Sequence, residues 1–264
     1  MLKLIFCEFA KLKRKPLVFA SVFLSVLIPL ASLLLPADEK TSVDAVDGMM
    51  SVLIQLSGYL LLMPVVIVLA SNLLFEEQDH HTLKNLLTIP VSKAKLAISK
   101  MMLLLLFSIG FMAVGGLFCL LLLLLQGWEP VGFWRLFFVG LGEGILMWVG
   151  ALPCVLLVII LNKSYIVSVI ITFFYTMVNY IFANNDFFTT QPFGFNPGTL
   201  LPGPLAFRWF FQFFDHSDPG AELAALLERV SPYFLDGMQV SFVALAEAVF
   251  FITLIALVYR RQEV

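Results

Sequence analysis

Carboxylates and imidazoles crowd together at Glu76, Glu77, Asp79, His80 and His81. Residues of these types, so close in sequence, raise two chemistries: a metal site, or an intramembrane protease built on paired glutamates. Neither fits the spacing. Adjacent side chains on a helix point in different directions and do not converge on one ion. A paired-glutamate protease also needs an arginine where this chain has His81, and downstream histidines, of which only His216 remains. No GxxxxGK[ST] run is present, so the chain does not itself cradle nucleotide phosphates in the P-loop manner. HExxH and a serine elbow are missing as well. Cys7, Cys119 and Cys154 are far apart in sequence and form neither metal-type spacing nor a disulfide framework.

Two lone carboxyls remain, Glu143 and Glu247, each inside a long apolar run. An ionised acid at mid-depth in a bilayer costs roughly 2.5–3.5 kcal/mol on insertion scales, so such groups face protein or a wet cavity. Glu143 sits in Gly140-Leu141-Gly142-Glu143-Gly144, and the Gly140/Gly144 spacing permits close helix approach. Each glutamate reads either as a polar spot on a substrate path or subunit seam, or as a hydrogen-bonded packing residue. Their similar depth suggests that both face one polar seam. Asn179 reads as interhelical polar glue.

The elements that must position these residues are membrane helices. Apolar residues make up 61% of the 264-residue chain and mean hydropathy is +0.98. That is far above the roughly half-apolar norm of soluble domains. Net charge is −2, which suggests no nucleic-acid partner. With roughly 20 apolar residues needed per span, six segments qualify: about 17–35, 50–75, 101–125, 131–161, 165–183 and 239–259. The fourth is long and is expected to begin in the outer interface, to tilt, or to bend at Pro153. Lys3, Lys11, Lys13, Arg14, Lys15, Lys84, Lys93, Lys95, Lys100, Lys163, Arg260 and Arg261 fall on one side of a six-span layout. The positive-inside rule makes that side cytoplasmic and puts both termini there. The first apolar run is too long for a signal-peptide core, and no small-x-small cleavage site follows it.

Three segments outside the spans carry structure. Residues 2–15 read as an amphipathic interfacial helix, with Leu2, Ile5, Phe6, Phe9 and Leu12 on its apolar face and Pro16 turning the chain into the first span. In the loop 76–100, Leu83, Leu86 and Leu87 form a short apolar face and Pro90 stops the helix. Ser92 then caps a new helix carrying Lys93, Lys95 and Lys100. The outer segment 184–238 is crowded with phenylalanines interleaved with prolines, so re-entrant or interfacial pieces are expected there. Leu223, Leu226, Leu227 and Val230 form one face of a helix near its end.

The layout resembles the ABC-2 type permease subunits. It is carried by the basic amphipathic N-terminus, six spans, the Glu-rich start of the first cytoplasmic loop, and Leu86-Leu87-Thr88-Ile89-Pro90-Val91-Ser92 followed by Lys95 and Ser99-Lys100. An outer element between spans five and six completes it. Within the family the chain looks most like the bacitracin-resistance and lantibiotic-immunity permeases of Gram-positive bacteria. The resemblance implies an all-α polytopic protein of the cell membrane, with residues 1–264 forming a single ABC-2 type transmembrane domain. It implies that Glu76, Glu77, Leu83, Leu86, Leu87 and Pro90 belong to the element that docks on a separate P-loop ATPase. That partner, not this chain, would bind ATP and Mg. A second permease half, identical or paralogous, and membrane lipid are the other implied partners. The implied function is non-catalytic: export of an amphipathic peptide antibiotic or lipid-linked compound by alternating access. The rivals from other classes are a stand-alone proton-coupled transporter using Glu143 and Glu247, and a membrane-embedded enzyme.

Overall fold

A computed structural model describes residues 2–12, 15–33, 41–79, 92–161, 165–215 and 221–261. Among these residues the fold is entirely helical. Four helical stretches are long and apolar enough to cross a membrane: Ser42–Leu74, Lys93–Leu125, Phe133–Leu161 and Gly237–Arg261. The apolar runs Pro16–Leu30 and Val167–Ala183 are shorter.

The chain opens with α1 (Leu2–Leu12) and, past Lys15, with α2 (Pro16–Ser32). Pro16 is the first helical residue of α2, where its missing N–H costs nothing and its fixed φ is already helical. Ser21 and Ser25 donate their hydroxyls to Val18 O and Val22 O (2.8 and 2.7 Å), which hides both inside the helix's own backbone.

The next helix begins at Ser42, well before the expected start near residue 50. A capping box causes this: Asp44 N–H donates to Thr41 Oγ1 (3.2 Å) and Thr41 N–H to Asp44 Oδ2 (3.0 Å). From α3 (Ser42–Val52) the chain passes without a break into a π-helical stretch, Leu53–Leu62, and then into α4 (Met63–Asp79). π geometry is usually a single-turn bulge and marks functional sites. Here it lasts 10 residues and buries Leu53, Ile54, Ser57, Gly58, Tyr59 and Leu62.

Ser92 caps α5 (Lys93–Leu125), its hydroxyl accepting from Lys95 N–H. The helix has 33 residues, about 50 Å at 1.5 Å per residue, against a hydrocarbon core of about 30 Å. Its basic first turns therefore extend past the apolar layer. The helix α6 (Phe133–Leu161) runs through Pro153 to Leu161 and sits at the centre. It packs on α5, on α4 and on α12 (Gly237–Arg261). Burial expresses this placing: 67% of the apolar window of α6 is buried, but only 33% of that of α12. Trp148 Nε1 donates to Met101 O of α5 (3.0 Å), and Tyr175 Oη of α7 (Tyr165–Ala183) donates to Gly150 O (2.6 Å).

After α7 the prolines cut the outer segment into short pieces: α8 (Asp186–Thr189), α9 (Pro197–Leu200), α10 (Pro202–Phe210) with a 3-10 turn Phe211–Phe213, then α11 (Ala221–Val230) and a second 3-10 turn Ser231–Tyr233. Pro197 and Pro202 each stand at the first position of a helix. On α11, Val230 is buried and Leu223, Leu226 and Leu227 are half-buried, while Glu222 and Glu228 are exposed, as the apolar face requires. Helix α10 lies against α7 so closely that a Cβ on Gly203 would collide with the backbone carbonyl of Asn179.

Candidate functional site

The expected docking element is only partly within the described residues. Glu76 and Glu77 stand in the last turns of α4. Leu83, Leu86, Leu87 and Pro90 lie outside the described residues, as do His80 and His81. The two helices that carry this loop are described, and they are tied together. Lys100, two turns into α5, is 1% exposed rather than a solvated loop charge. Its Nζ donates to Leu73 O of α4 (2.7 Å) and to Glu8 Oε2 of α1 (2.8 Å). Glu8 is itself 2% exposed, and its other oxygen accepts from Lys11 Nζ (2.7 Å). Phe6 and Phe9 of α1 point away from the protein while Glu8 and Leu12 face it. That division suits a helix lying at a membrane surface.

Inside the bundle, Glu143 is fully buried on α6. Its side chain lies against Gly58 of the π stretch, where a Cβ would come within 3.3 Å of Glu143 Cγ. Neither carboxyl oxygen has a hydrogen-bond partner among the described residues, and the same holds for Ser57 Oγ. At the next residue, a Cβ on Gly144 would meet Ser108 O of α5 at 3.0 Å, so the glycine-rich stretch does permit close approach of α5 and α6. Gly140 has ordinary contacts only.

Glu247 on α12 has different surroundings. It is half-buried. Asn179 donates Nδ2 to Tyr175 O of its own helix (2.9 Å), and its Oδ1 is without a partner among the described residues.

Beside the π stretch, Gln55, Tyr59, Tyr180, Ala183, Asn184, Phe207 and Phe210 line a cavity of about 10 Å³. Ligand pockets commonly run to 300–1,000 Å³, whereas a void of this size holds about one water. Its walls are aromatic, with two amides. Tyr59 Oη donates to Gly203 O (2.8 Å), and its ring meets Phe210 edge-on at 6.0 Å. One tyrosine therefore joins the π stretch to the outer element, one residue from the contact with Glu143.

Arg208 holds that outer element together. It is fully buried, donating Nε to Tyr233 O (2.9 Å) and Nη1 to Gly198 O (2.8 Å), while its own carbonyl accepts from Leu235 N–H. Burial pulls the guanidinium below its ordinary pKa. Outside it, Arg229 pairs with Asp186 (2.6 Å) and Asp215 N–H donates to Asp47 Oδ2 of α3. In the sequence Arg208 is one more outer charge. Its role depends on two carbonyls, 10 and 25 residues away, that no local pattern announces.

Comparison with curated proteins gives no match. A comparison with family models matches residues 4–179, more than half of the chain, to the family described as ABC-2 family transporter protein. Helices long enough to cross a membrane and the family match agree, and this chain belongs to the ABC-2 transporter family as a membrane transport subunit.

Proposed function

We propose that this chain is the permease subunit of an ATP-driven exporter that moves an amphipathic peptide antibiotic or a lipid-linked compound out of the membrane. The observation that carries the reading is the family match over residues 4–179, which spans the whole loop between α4 and α5. ABC-2 permeases work with an ATPase partner, and this chain has no phosphate loop of its own. A P-loop ATPase docks on residues 76–100 through Glu76, Glu77, Leu83, Leu86, Leu87 and Pro90. Two permease halves pack through their spans, and ATP-driven closure beneath them biases the pair between inward and outward states. The chain crosses the cell membrane six times with both termini inside. Such a substrate is apolar with a few polar groups. The bacitracin-resistance and lantibiotic-immunity permeases of Gram-positive bacteria are the subgroup whose substrates have this character.

The test is a charge on the leucine face. In the complex of permease and ATPase, Leu83→Asp or Leu87→Asp leaves the chain in the membrane and abolishes ATP hydrolysis stimulated by transported antibiotic. A variant complex that keeps its stoichiometry and its stimulated hydrolysis contradicts the docking assignment.

The unpartnered carboxyl of Glu143 supports a second reading, a stand-alone proton-coupled transporter. Collapse of the proton gradient with ATP held high separates the two: transport continues under the first reading and stops under the second.

A further inference from the structure

We propose that Glu8 and Lys100 are positioning residues that bind the interfacial helix α1 to the roots of the two helices carrying the ATPase-docking loop, so that α1 moves with that loop as one body. The inference rests on the ATPase partnership proposed above, but its geometry stands without it.

Lys100 Nζ reaches two different elements: the Leu73 carbonyl of α4 at 2.7 Å and the Glu8 carboxylate of α1 at 2.8 Å. Lys100 belongs to α5, so one ammonium joins three helices. Residues 80–91 of the loop connect two of the three. A displacement of the loop acts first on the ends of α4 and α5, and the ammonium passes it to α1.

Two features argue for a specific joint over general stickiness. Glu8 and Lys100 are 2% and 1% exposed, so solvent does not screen their attraction as it does for surface pairs. The remaining face of α1, with Phe6 72% and Phe9 55% exposed, is turned away from the bundle, as a face that meets lipid would be. A helix anchored in the headgroup layer and bonded to the loop's roots transmits motion at the loop to the membrane surface. Burying this pair does not make it a source of stability, since apolar replacements of buried ion pairs are often as stable. A joint that must keep its geometry explains the charges better.

Native Cys7 is exposed on α1 beside Glu8, while Cys119 and Cys154 are buried. With those two replaced by Ala, spin labels on Cys7 and on Lys95→Cys report the separation of α1 from the start of α5 in the full chain. The distance distribution should be narrow, and unchanged by ATP in the complex with the ATPase. Lys100→Met should broaden it, and Glu8→Gln, which keeps a hydrogen bond to Lys100, should broaden it less. The second measurement is ATP hydrolysis per assembled complex. Lys100→Met should lower kcat by about tenfold, within the usual range of coupling between sites. KM for ATP should stay at the wild-type value, because the nucleotide site is in the other subunit. A merely structural pair would lower the amount of complex and leave kcat per complex unchanged. A narrow distribution in Lys100→Met, or wild-type kcat per complex in both variants, overturns the proposal. If the wild-type chain recruits no ATPase, the permease reading fails, and the distance distributions still decide whether the joint exists.

Discussion

Glu143 combines full burial with two oxygens that have no partner among the described residues. Packing does not explain such a group, because a buried polar atom left unpaired costs about 1–3 kcal/mol. A residue held at a cost to stability is a candidate for function. Glu143→Leu should therefore raise the thermal stability of the purified chain while lowering transport. Glu143→Gln should preserve expression and folding but also lower transport, since the amide keeps size and hydrogen-bonding capacity and loses the charge or proton. Unfolding midpoints beside a transport assay read both; full transport in the Gln variant removes Glu143 from the mechanism. Its position was legible in the sequence as a single acid in an apolar run. Its contact with Gly58 was not, because nothing local marks which of several helices an inward residue meets. Lys100 was misleading for the same reason. Its counter-charge lies 92 residues earlier, so in the sequence it resembles the other lysines of the loop.

Among the elements, cap chemistry was legible and backbone type was not. Ser92 starts α5 as its place after Pro90 suggests. Thr41-Ser42-Val43-Asp44 has the same local meaning, a capping box ahead of buried Ala45, Val46 and Met49, and it moves the start of the second long helix back to Ser42. The π stretch Leu53–Leu62 left no such mark, since an apolar run buried on most sides has no periodicity to separate one helix type from another. The prolines of 184–238 did announce a broken outer element, but not what seats it. The seat is the contact of α10 with α7 at Gly203. Gly203→Ala places a methyl group against a backbone carbonyl that cannot yield, and should cost about 1–3 kcal/mol. Gly110→Ala, with open space at its Cβ, is the matched control and should be neutral or slightly stabilising. Thermal unfolding of the two variants compares them; equal midpoints would mean that α10 does not rest on α7 in this way.

Across the whole molecule, composition and the run of apolar segments made the membrane class readable, the resemblance centred on residues 76–100 pointed to the transporter family, and the family match agrees with both. The subgroup was less readable, because the resemblance is carried by the layout and by residues 76–100, and neither specifies a substrate. The account places residues 76–100 inside, against an ATPase, and residues 184–238 outside, over the cavity. Six crossings are required for this, two of them made by α2 and α7, whose apolar runs are the shorter ones. Thiol labelling of intact cells tests the arrangement most directly. Single cysteines at Lys40, Asn85 and Asp218 are placed in turn in a chain whose own three cysteines are replaced, and an impermeant maleimide is added from outside. The account predicts labelling of Lys40→Cys and Asp218→Cys, and none of Asn85→Cys until the membrane is permeabilised. Labelling of Asn85→Cys with silence at Asp218→Cys would turn the chain over in the membrane and put the docking loop on the side where no ATP is supplied.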